Sequence, residues 1–233
     1  MNDAFSNAHS DFLSYLSQDE TDALLRCARK VHLEKNQSIF NVGDMSGTVY
    51  IVAKGCIKLF RLTPDGKEVI FWLSFPGEIF GLAELFNDVD REISAEANMA
   101  SEILAISRSD ILRFFRSHPE TAMRAICILS ARLRSLEYSL INLATEDVET
   151  RLLRLLLRLS AVSKTCTVTS SGDEICVDYP LTHQDIANQI GASRQTVSST
   201  LASLKRRGVI EVKQRRIHIP NREKMIRELE ASE

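Results

Sequence analysis

The segment from Met123 to Leu143 constrains the fold most, because its apolar residues recur at alternating steps of three and four. The members of this stripe are Ile126, Leu129, Leu133, Leu136, Leu140 and Leu143. Such spacing places all six on one side of a single α-helix, in the a/d pattern through which two helices pair. Pro119 suits the start of this helix, since a first turn does not need its missing N–H. The stripe predicts a homodimer; the alternative is packing on the core of its own chain.

The composition argues against a membrane protein and against a secreted protein. The 233 residues contain no apolar run near the roughly 20 residues that span a bilayer, and residues 1–10 are polar. We therefore expect a cytoplasmic protein with no membrane partner. The five cysteines are scattered, unlike a secreted disulfide framework. Between Thr182 and Pro220 seven basic residues stand against two acidic ones, which predicts that this end of the chain meets phosphate.

Residues 11–30 are predicted to be an amphipathic helical region, and short β-type runs separated by turns follow from Val31 to Ile106. The predicted strands are Ser38–Phe40, Val49–Val52, Ile57–Leu62, Glu68–Leu73 and Glu102–Ile106. Pro64-Asp65-Gly66 marks a tight hairpin, because it supplies a fixed φ and then a residue that tolerates positive φ. This texture predicts a small antiparallel barrel or roll, whose interior could hold a ligand.

Further helices are predicted after the strands. A short helix over Ser109–Ser117 precedes the striped helix, and Asp147 can cap another over 148–160 whose six leucines are too many for a surface stripe. A hairpin is predicted over 165–178. We expect an effector-sensing domain over 1–118, a dimerisation helix and hinge over 119–146, and a DNA-binding domain over 147–233.

The segment from Leu181 to Lys205 predicts a helix-turn-helix. Thr182 and Ser193 are suited to cap two helices, and Gly191 between them accepts the left-handed conformation that ends the first. The apolar residues that would lock the two helices together are Ile186, Ala187, Ile190, Val197, Leu201 and Leu204. After Gly208, residues 209–212 and 216–219 predict a two-stranded wing.

The second helix of this motif would present its outward first turn to DNA bases. Arginine can donate two parallel hydrogen bonds to guanine, and glutamine can pair with adenine. The candidate base contacts are Arg194, Gln195, Ser198 and Ser199. The candidate phosphate contacts are Thr182, Gln184, Ser193 and Thr196 near the helix starts, with Lys213, Arg215 and Arg216 in the wing.

Over nearly its full length the chain resembles the CRP/FNR family of bacterial transcription regulators. The residues that carry the resemblance are Gly43, Gly55, Gly66, Gly77, Gly81, the segment 75–81, Ser94-Ala95, 142–144 with Asp147, and the recognition turn 193–197. The resemblance implies an α+β fold: an N-terminal antiparallel β-roll (a cyclic-nucleotide-binding-like jelly roll), a long dimerisation helix and a C-terminal winged helix-turn-helix. It also implies a homodimer on an inverted-repeat site of double-stranded DNA, with RNA polymerase as a partner and an effector in the roll.

The family's cyclic-AMP pattern is absent at the aligned positions. Gly81 is followed by Leu82 where that branch has glutamate, Ile93 precedes Ser94 where it has arginine, and Leu136-Glu137 replaces its purine-contacting Thr-Ser pair. A buried phosphate without a cation is costly, which argues against cyclic AMP. The predicted effector pocket comprises Gly81, Leu82, Glu84, Arg91, Ser94, Arg132 and Leu136.

The cofactor is unassigned by the sequence. Cys27 alone lacks the cysteine cluster that an iron–sulfur centre needs. Residues 55–58 and 61–66 are similar to the nitric-oxide-responding, haem-dependent members of the family, which makes haem a candidate although no histidine stands out as its ligand. A thiol switch between Cys166 and Cys176 is a second candidate input, and a small-molecule or cyclic-nucleotide effector is the alternative.

Other classes of protein fit less well. A metal-dependent enzyme on a small roll needs clustered histidines, and residues 31–106 contain only His32. We therefore predict no metal site and no catalytic residue. A sensor that acts only through protein partners would not need Arg194 and Gln195 at an exposed helix start beside a basic wing.

Overall fold

The computed structural model describes residues 11–87, 89–162, 175–177, 181–213 and 216–230, and every structural statement below concerns these residues. They divide into two compact units, with residues 11–134 in the N-terminal unit and residues 135–230 in the C-terminal unit. The long helix α3 (Pro119–Thr145) contributes its first part to one unit and its second part to the other. None of the described helices is long and apolar enough to cross a bilayer.

The N-terminal unit is a roll of two antiparallel four-stranded sheets. Its strands are β1 (Ala28–Leu33), β2 (Ser38–Phe40), β3 (Thr48–Lys54), β4 (Ile57–Leu62), β5 (Glu68–Ser74), β6 (Ile79–Phe80), β7 (Ser94–Ala97) and β8 (Ser101–Ser107). One sheet has the order β1-β8-β3-β6 and the other β2-β7-β4-β5. The predicted Pro-Asp-Gly hairpin joins β4 to β5, with Gly66 at φ 81°. The α+β fold and the predicted roll are thereby confirmed.

Two apolar cores hold this unit together. The first lies between the two sheets and includes Phe40, Ile57, Trp72 and Phe80. The second lies between the first sheet and the helices α1 (Gln18–Cys27), α2 (Arg108–Ser117) and the start of α3, around residues such as Phe12 and Ile111. Burying these side chains contributes about 1.5–3 kcal/mol each relative to exposure, which fixes α2 and α3 against the roll.

Three parts of the predicted roll needed correction. The helical region ends at Cys27 and not at residue 30, because Ala28–Leu33 pairs with β8 as an additional strand. The short strands β6 and β7 were missed by the sequence prediction. In Ser94–Ala97 the sequence is poor in β-branched residues, and it is a strand because β2 and β4 pair with its two edges.

The C-terminal unit is built around α4 (Val148–Val162). Its six leucines are all buried, as the sequence predicted: Leu152, Leu153, Leu155, Leu156, Leu157 and Leu159. Around it lie α5 (His183–Ile190), α6 (Arg194–Arg206), α7 (Arg222–Glu230) and a sheet of order β10-β11-β9, with strands Glu211–Lys213, Arg216–Ile219 and Ile175–Val177. Helix α7 was not predicted. The first wing strand begins at Glu211, two residues after the predicted start at Val209, because Val209 and Ile210 are buried in the core. The predicted hairpin over 165–178 lies largely outside the described residues.

Candidate functional site

Helices α5 and α6 form the predicted helix-turn-helix. Thr182 caps α5, with its Oγ1 accepting a hydrogen bond from the Asp185 N–H at 3.1 Å, while the Asp185 carboxylate accepts one from the Thr182 N–H at 2.8 Å. Gly191 ends α5 in the left-handed conformation at φ 66°, which a side chain would strain. Ser193 caps α6 by accepting from the Thr196 N–H at 3.0 Å. The six predicted locking residues are all buried.

The first turn of α6 leaves two long polar side chains exposed. Within the described part of the chain, Arg194 and Gln195 have no hydrogen-bond or ion-pair partner, so their donors and acceptors are available to another molecule. An unpaired guanidinium and amide at an exposed helix start have the reach and the donors that base edges in a major groove require.

The smaller polar residues of the motif are engaged inside the protein. The Thr182 hydroxyl donates to Asp185 at 2.7 Å, and the Gln184 amide donates to Asn188 Oδ1 at 2.7 Å. The hydroxyls of Ser193 and Thr196 lie 2.8 Å apart. Among the predicted phosphate contacts, these four side chains therefore stabilise the helix starts that any phosphate would approach.

The wing carries positive charge beside this surface. Strands β10 and β11 pair in antiparallel register, with Lys213 opposite Arg216. Lys213 forms an exposed ion pair with Glu211, at 2.7 Å between Nζ and Oε2. Arg215 lies outside the described residues. The structure thus places the described basic residues of the wing at the end of an exposed two-stranded ribbon.

Helix α3 carries two distinct apolar faces. One face, with Thr121, Ala125 and Ile128, is buried against the core of the N-terminal unit. The predicted stripe is a second face: Leu129 is partly buried against that core, but the other members are exposed over 41–73% of their surface, namely Ile126, Leu133, Leu136, Leu140 and Leu143. Among the described residues, Leu129 is thus the one member of the stripe that packs against the core of the N-terminal unit.

Inside the roll, three predicted pocket residues come together around one buried arginine. Arg91 pairs with Glu84 at 2.9 Å between Nη1 and Oε2, and the two side chains are 1% and 8% exposed. The guanidinium also donates to the carbonyls of Gly81, at 3.0 Å, and Thr48. It lies over the Phe40 ring, 4.3 Å from the centroid. Arg91 is therefore neutralised by the protein itself.

The remaining pocket residues lie elsewhere. The Ser94 hydroxyl accepts a hydrogen bond from the Val42 N–H at 3.2 Å, and Leu82 belongs to the core between sheet and helices. Leu136 belongs to the C-terminal unit. Arg132 belongs to a separate buried cluster with Trp72 and Glu78. Within the N-terminal unit, Gly81, Glu84 and Arg91 thus form one cluster and Arg132 belongs to another.

The Arg132 cluster ties α3 to the roll through two residues that sequence reasoning missed. Glu78 accepts a hydrogen bond from Trp72 Nε1 at 2.9 Å and pairs with Arg132 Nη2 at 3.3 Å. The guanidinium of Arg132 also lies over the Trp72 ring, 5.2 Å from the centroid. Burial lowers the pKa of Arg132, and the charge of Glu78 opposes that shift. Trp72 and Arg132 are 60 positions apart in the sequence. No local sequence pattern could therefore have revealed the buried carboxylate of Glu78 between them.

The described residues contain no group of three or more His, Cys, Asp or Glu side chains that could hold a metal ion. Cys27 and Cys127 are exposed, Cys56 is buried, and none of these three cysteines forms a disulfide among the described residues. His32 is a surface residue, with 77% of its side chain exposed beside Glu102, and His118 is half-buried beside Phe114. Neither imidazole is buried as a haem ligand inside the roll would be. Cys166 lies outside the described residues.

Two family models match separate stretches of the chain. Residues 30–118 match the model of the cyclic nucleotide-binding domain, and residues 150–228 match that of the Crp-like helix-turn-helix domain. The Cyclic AMP receptor protein of Thermus thermophilus is 30% identical over 197 residues, covering 84% of this chain and 86% of that protein. The Global nitrogen regulator of Nostoc sp. is 31% identical over 189 residues, covering 80% and 82%.

Solved structures show the same fold. The structure of FixK2 from Bradyrhizobium japonicum superposes with a TM-score of 0.74 at 21% identity, covering 86% of this chain and 96% of that one. A roll of the cyclic nucleotide-binding type, followed along the chain by a long helix and a Crp-like helix-turn-helix domain, defines a class, the DNA-binding transcription regulators. Within that class, the chain belongs to the CRP/FNR family, and it is a regulator and not an enzyme.

Proposed function

We propose that the protein binds an inverted-repeat DNA site as a homodimer, with each recognition helix α6 reading one half-site. The observation that carries this proposal is the free, exposed pair Arg194 and Gln195 at the start of α6. The exposed stripe of α3 supports pairing of two copies, because five apolar side chains along one helix face otherwise remain in water. Half-sites one helical turn apart, roughly 34 Å, would match such a dimer.

The test is selection of bound duplexes from a pool of inverted repeats with randomised half-sites. We expect the wild type to enrich a palindromic sequence with a guanine under Arg194. Arg194→Ala should weaken binding to that duplex by about 1–3 kcal/mol, the discrimination that one bidentate arginine contact provides. Arg113→Ala, which removes an exposed arginine of α2, is the matched control and should leave affinity unchanged. Unchanged affinity of R194A, or no enrichment by the wild type, would contradict the proposal.

We further propose that the roll senses a signal other than cyclic AMP and that this signal sets DNA affinity. In support, the buried Arg91 is already paired with Glu84 and two backbone carbonyls, so a cyclic phosphate would have to displace a carboxylate from a dry site. The candidate inputs are nitric oxide bound to a haem and a redox change of thiols. The surface position of His32 and the partial exposure of His118 fit the haem ligand poorly.

The alternative is a cyclic nucleotide or another small organic effector. It draws support from the 30% identical relative, which is named a Cyclic AMP receptor protein. Trp72, the only tryptophan of the chain, contacts Glu78 and Arg132 inside the N-terminal unit and can report binding by fluorescence. Titration with cyclic AMP should leave both this fluorescence and DNA affinity unchanged; a saturable change in both would favour the alternative.

The gas and redox inputs are separated by two measurements on the same protein. A Soret band after incubation with haem, together with DNA affinity that responds to nitric oxide, would support the haem input. Labelling of free thiols before and after oxidant, with DNA affinity measured in parallel, tests the thiol input. If oxidation leaves affinity unchanged, the thiol input is excluded.

A further inference from the structure

Ser198 on the recognition helix is held by a side chain from the other helix of the motif. His183, the first residue of α5, places its Nδ1 2.7 Å from Ser198 Oγ. The two residues are 15 positions apart, and the hydrogen bond crosses from α5 to α6. His183 is exposed and Ser198 is half-buried, so the pair lies at the surface beside the first turn of α6.

The other hydroxyls of α6 are engaged differently. Ser199 and Thr200 both donate to the carbonyl of Thr196, at 2.8 and 2.9 Å, as helical serines and threonines commonly do. Ser193 and Thr196 share the cap of the helix. Among these hydroxyls, Ser198 is the one whose partner is a histidine on a different helix. Its position four residues after Arg194 places both on the same face of α6.

The hydrogen bond with His183 affects whether the Ser198 hydroxyl donates to a base or accepts from it. A serine hydroxyl has one proton to donate and lone pairs to accept, so a free serine contacts donors and acceptors equally well. When Nδ1 accepts the serine proton, Oγ can only accept from a base amino group. When Nδ1 carries a proton and donates it to Oγ, the serine proton is free for a base oxygen or for N7. In the first case the imidazole takes away the donor role of the serine; in the second it occupies one of the two lone pairs and so limits the directions from which Oγ can accept.

We propose that His183 is a positioning residue for sequence recognition, which orients the Ser198 hydroxyl and thereby makes it discriminate between bases. The proposal rests on the DNA-binding function proposed above. His183 acts through Ser198, and its removal changes the preference at the base pair that Ser198 faces more than it changes overall affinity.

The experiment uses the full-length protein and the pool of randomised inverted repeats. The variants are S198A, H183A, the double variant H183A/S198A, and H183N, whose side-chain amide places a hydrogen-bonding atom near the position of Nδ1. The matched control is H32A, which removes an exposed imidazole in the N-terminal unit. Circular dichroism and sedimentation confirm that each variant is folded.

We expect S198A and H183A to reduce discrimination at the same base pair of the half-site by about five-fold or more, within the range of one base contact. The double variant should lose no more than S198A, H183N should retain the preference, and H32A should match the wild type. The inference is overturned if H183A keeps the wild-type preference at that base pair, or if its effect adds to that of S198A. A wild type that enriches no sequence at all would instead contradict the proposed DNA-binding function.

Discussion

At the scale of single residues, the buried ion pair of the roll contrasts with the exposed polar side chains at the start of α6. Arg91 and Glu84 pair in a dry environment, whereas Arg194 and Gln195 are exposed and unpartnered within the described chain. A buried pair adds little net stability, but losing one partner leaves an uncompensated charge. The same residue type, arginine, is thus part of the structure in one place and available for recognition in the other.

Substitution of Glu84 tests this contrast. Glu84→Gln keeps the shape of the side chain but leaves the Arg91 charge without a counter-ion, so it should destabilise the N-terminal unit by about 3–5 kcal/mol. Denaturant unfolding followed by Trp72 fluorescence measures this change, because Trp72 lies in the core between the sheets. Glu102→Gln, which alters ion pairs with the exposed side chains of Lys30 and His32, is the control and should shift the midpoint far less. A loss of stability in Glu84→Gln well below about 3 kcal/mol would contradict a structural role for the Arg91 pair.

At the scale of elements, the junction between α3 and α4 depends on one capping side chain. Asp147 accepts a hydrogen bond from the Thr150 N–H at 2.8 Å and so satisfies one of the free donors at the start of α4. This hydrogen bond lowers the pKa of the Asp147 carboxyl below its ordinary value of 3.8. The junction is further held by Arg154, which pairs with Glu146 at 2.6 Å.

Asp147 variants separate the cap from its charge. Asp147→Ala should destabilise α4 by about 1 kcal/mol, the usual value of an N-cap, whereas Asp147→Asn caps nearly as well. Because the folded-state pKa of Asp147 is lowered, its contribution is present above pH 3.8 and is lost as the pH falls through the folded-state pKa. Thermal unfolding at about pH 6 and about pH 3 should therefore show a smaller pH effect in the asparagine variant than in the wild type. Identical pH dependence in both would argue against the cap.

At the scale of the whole molecule, α3 is the element whose two faces have different partners. Ala125 and Ile128 bury one face in the N-terminal unit, and the stripe, exposed within the described residues, is the face through which we propose that two copies pair. The a/d spacing of the stripe matches a parallel pair of helices, which a two-fold symmetric dimer provides.

Charge in the stripe should dissociate that dimer. Leu140 is the most exposed member of the stripe at 73%, and Leu140→Glu places a carboxylate in the proposed interface. We expect the dimer Kd to rise at least about 100-fold, since loss of a buried leucine alone costs about 2–5 kcal/mol. Tyr138→Glu changes another exposed α3 residue, 53% accessible and outside the stripe, and should leave the dimer intact. Sedimentation at a series of concentrations distinguishes the two; a wild type that sediments as a single chain even with DNA would contradict the dimer.

Elements whose sequence pattern is local could be predicted from the residues alone. Periodicity and capping are short-range properties, so each of these patterns predicts a helix or its end within a few residues. They are the a/d stripe of α3, the leucines of α4, the caps Thr182 and Ser193, and the Gly191 turn. The exposed start of α6, with Arg194 and Gln195, followed from the same pattern. The domain boundaries at 118/119 and 146/147 and the roles of the site residues stay predictions.

Contacts between residues that are distant in the sequence became known only from the folded structure. Strands β1 and β7 exist because neighbouring strands pair with them, and the Trp72–Glu78–Arg132 and His183–Ser198 contacts join residues far apart in sequence or on different helices. The physical reason is that a buried charge or an edge strand is stable only once its partner is in place, and no local pattern records that partner.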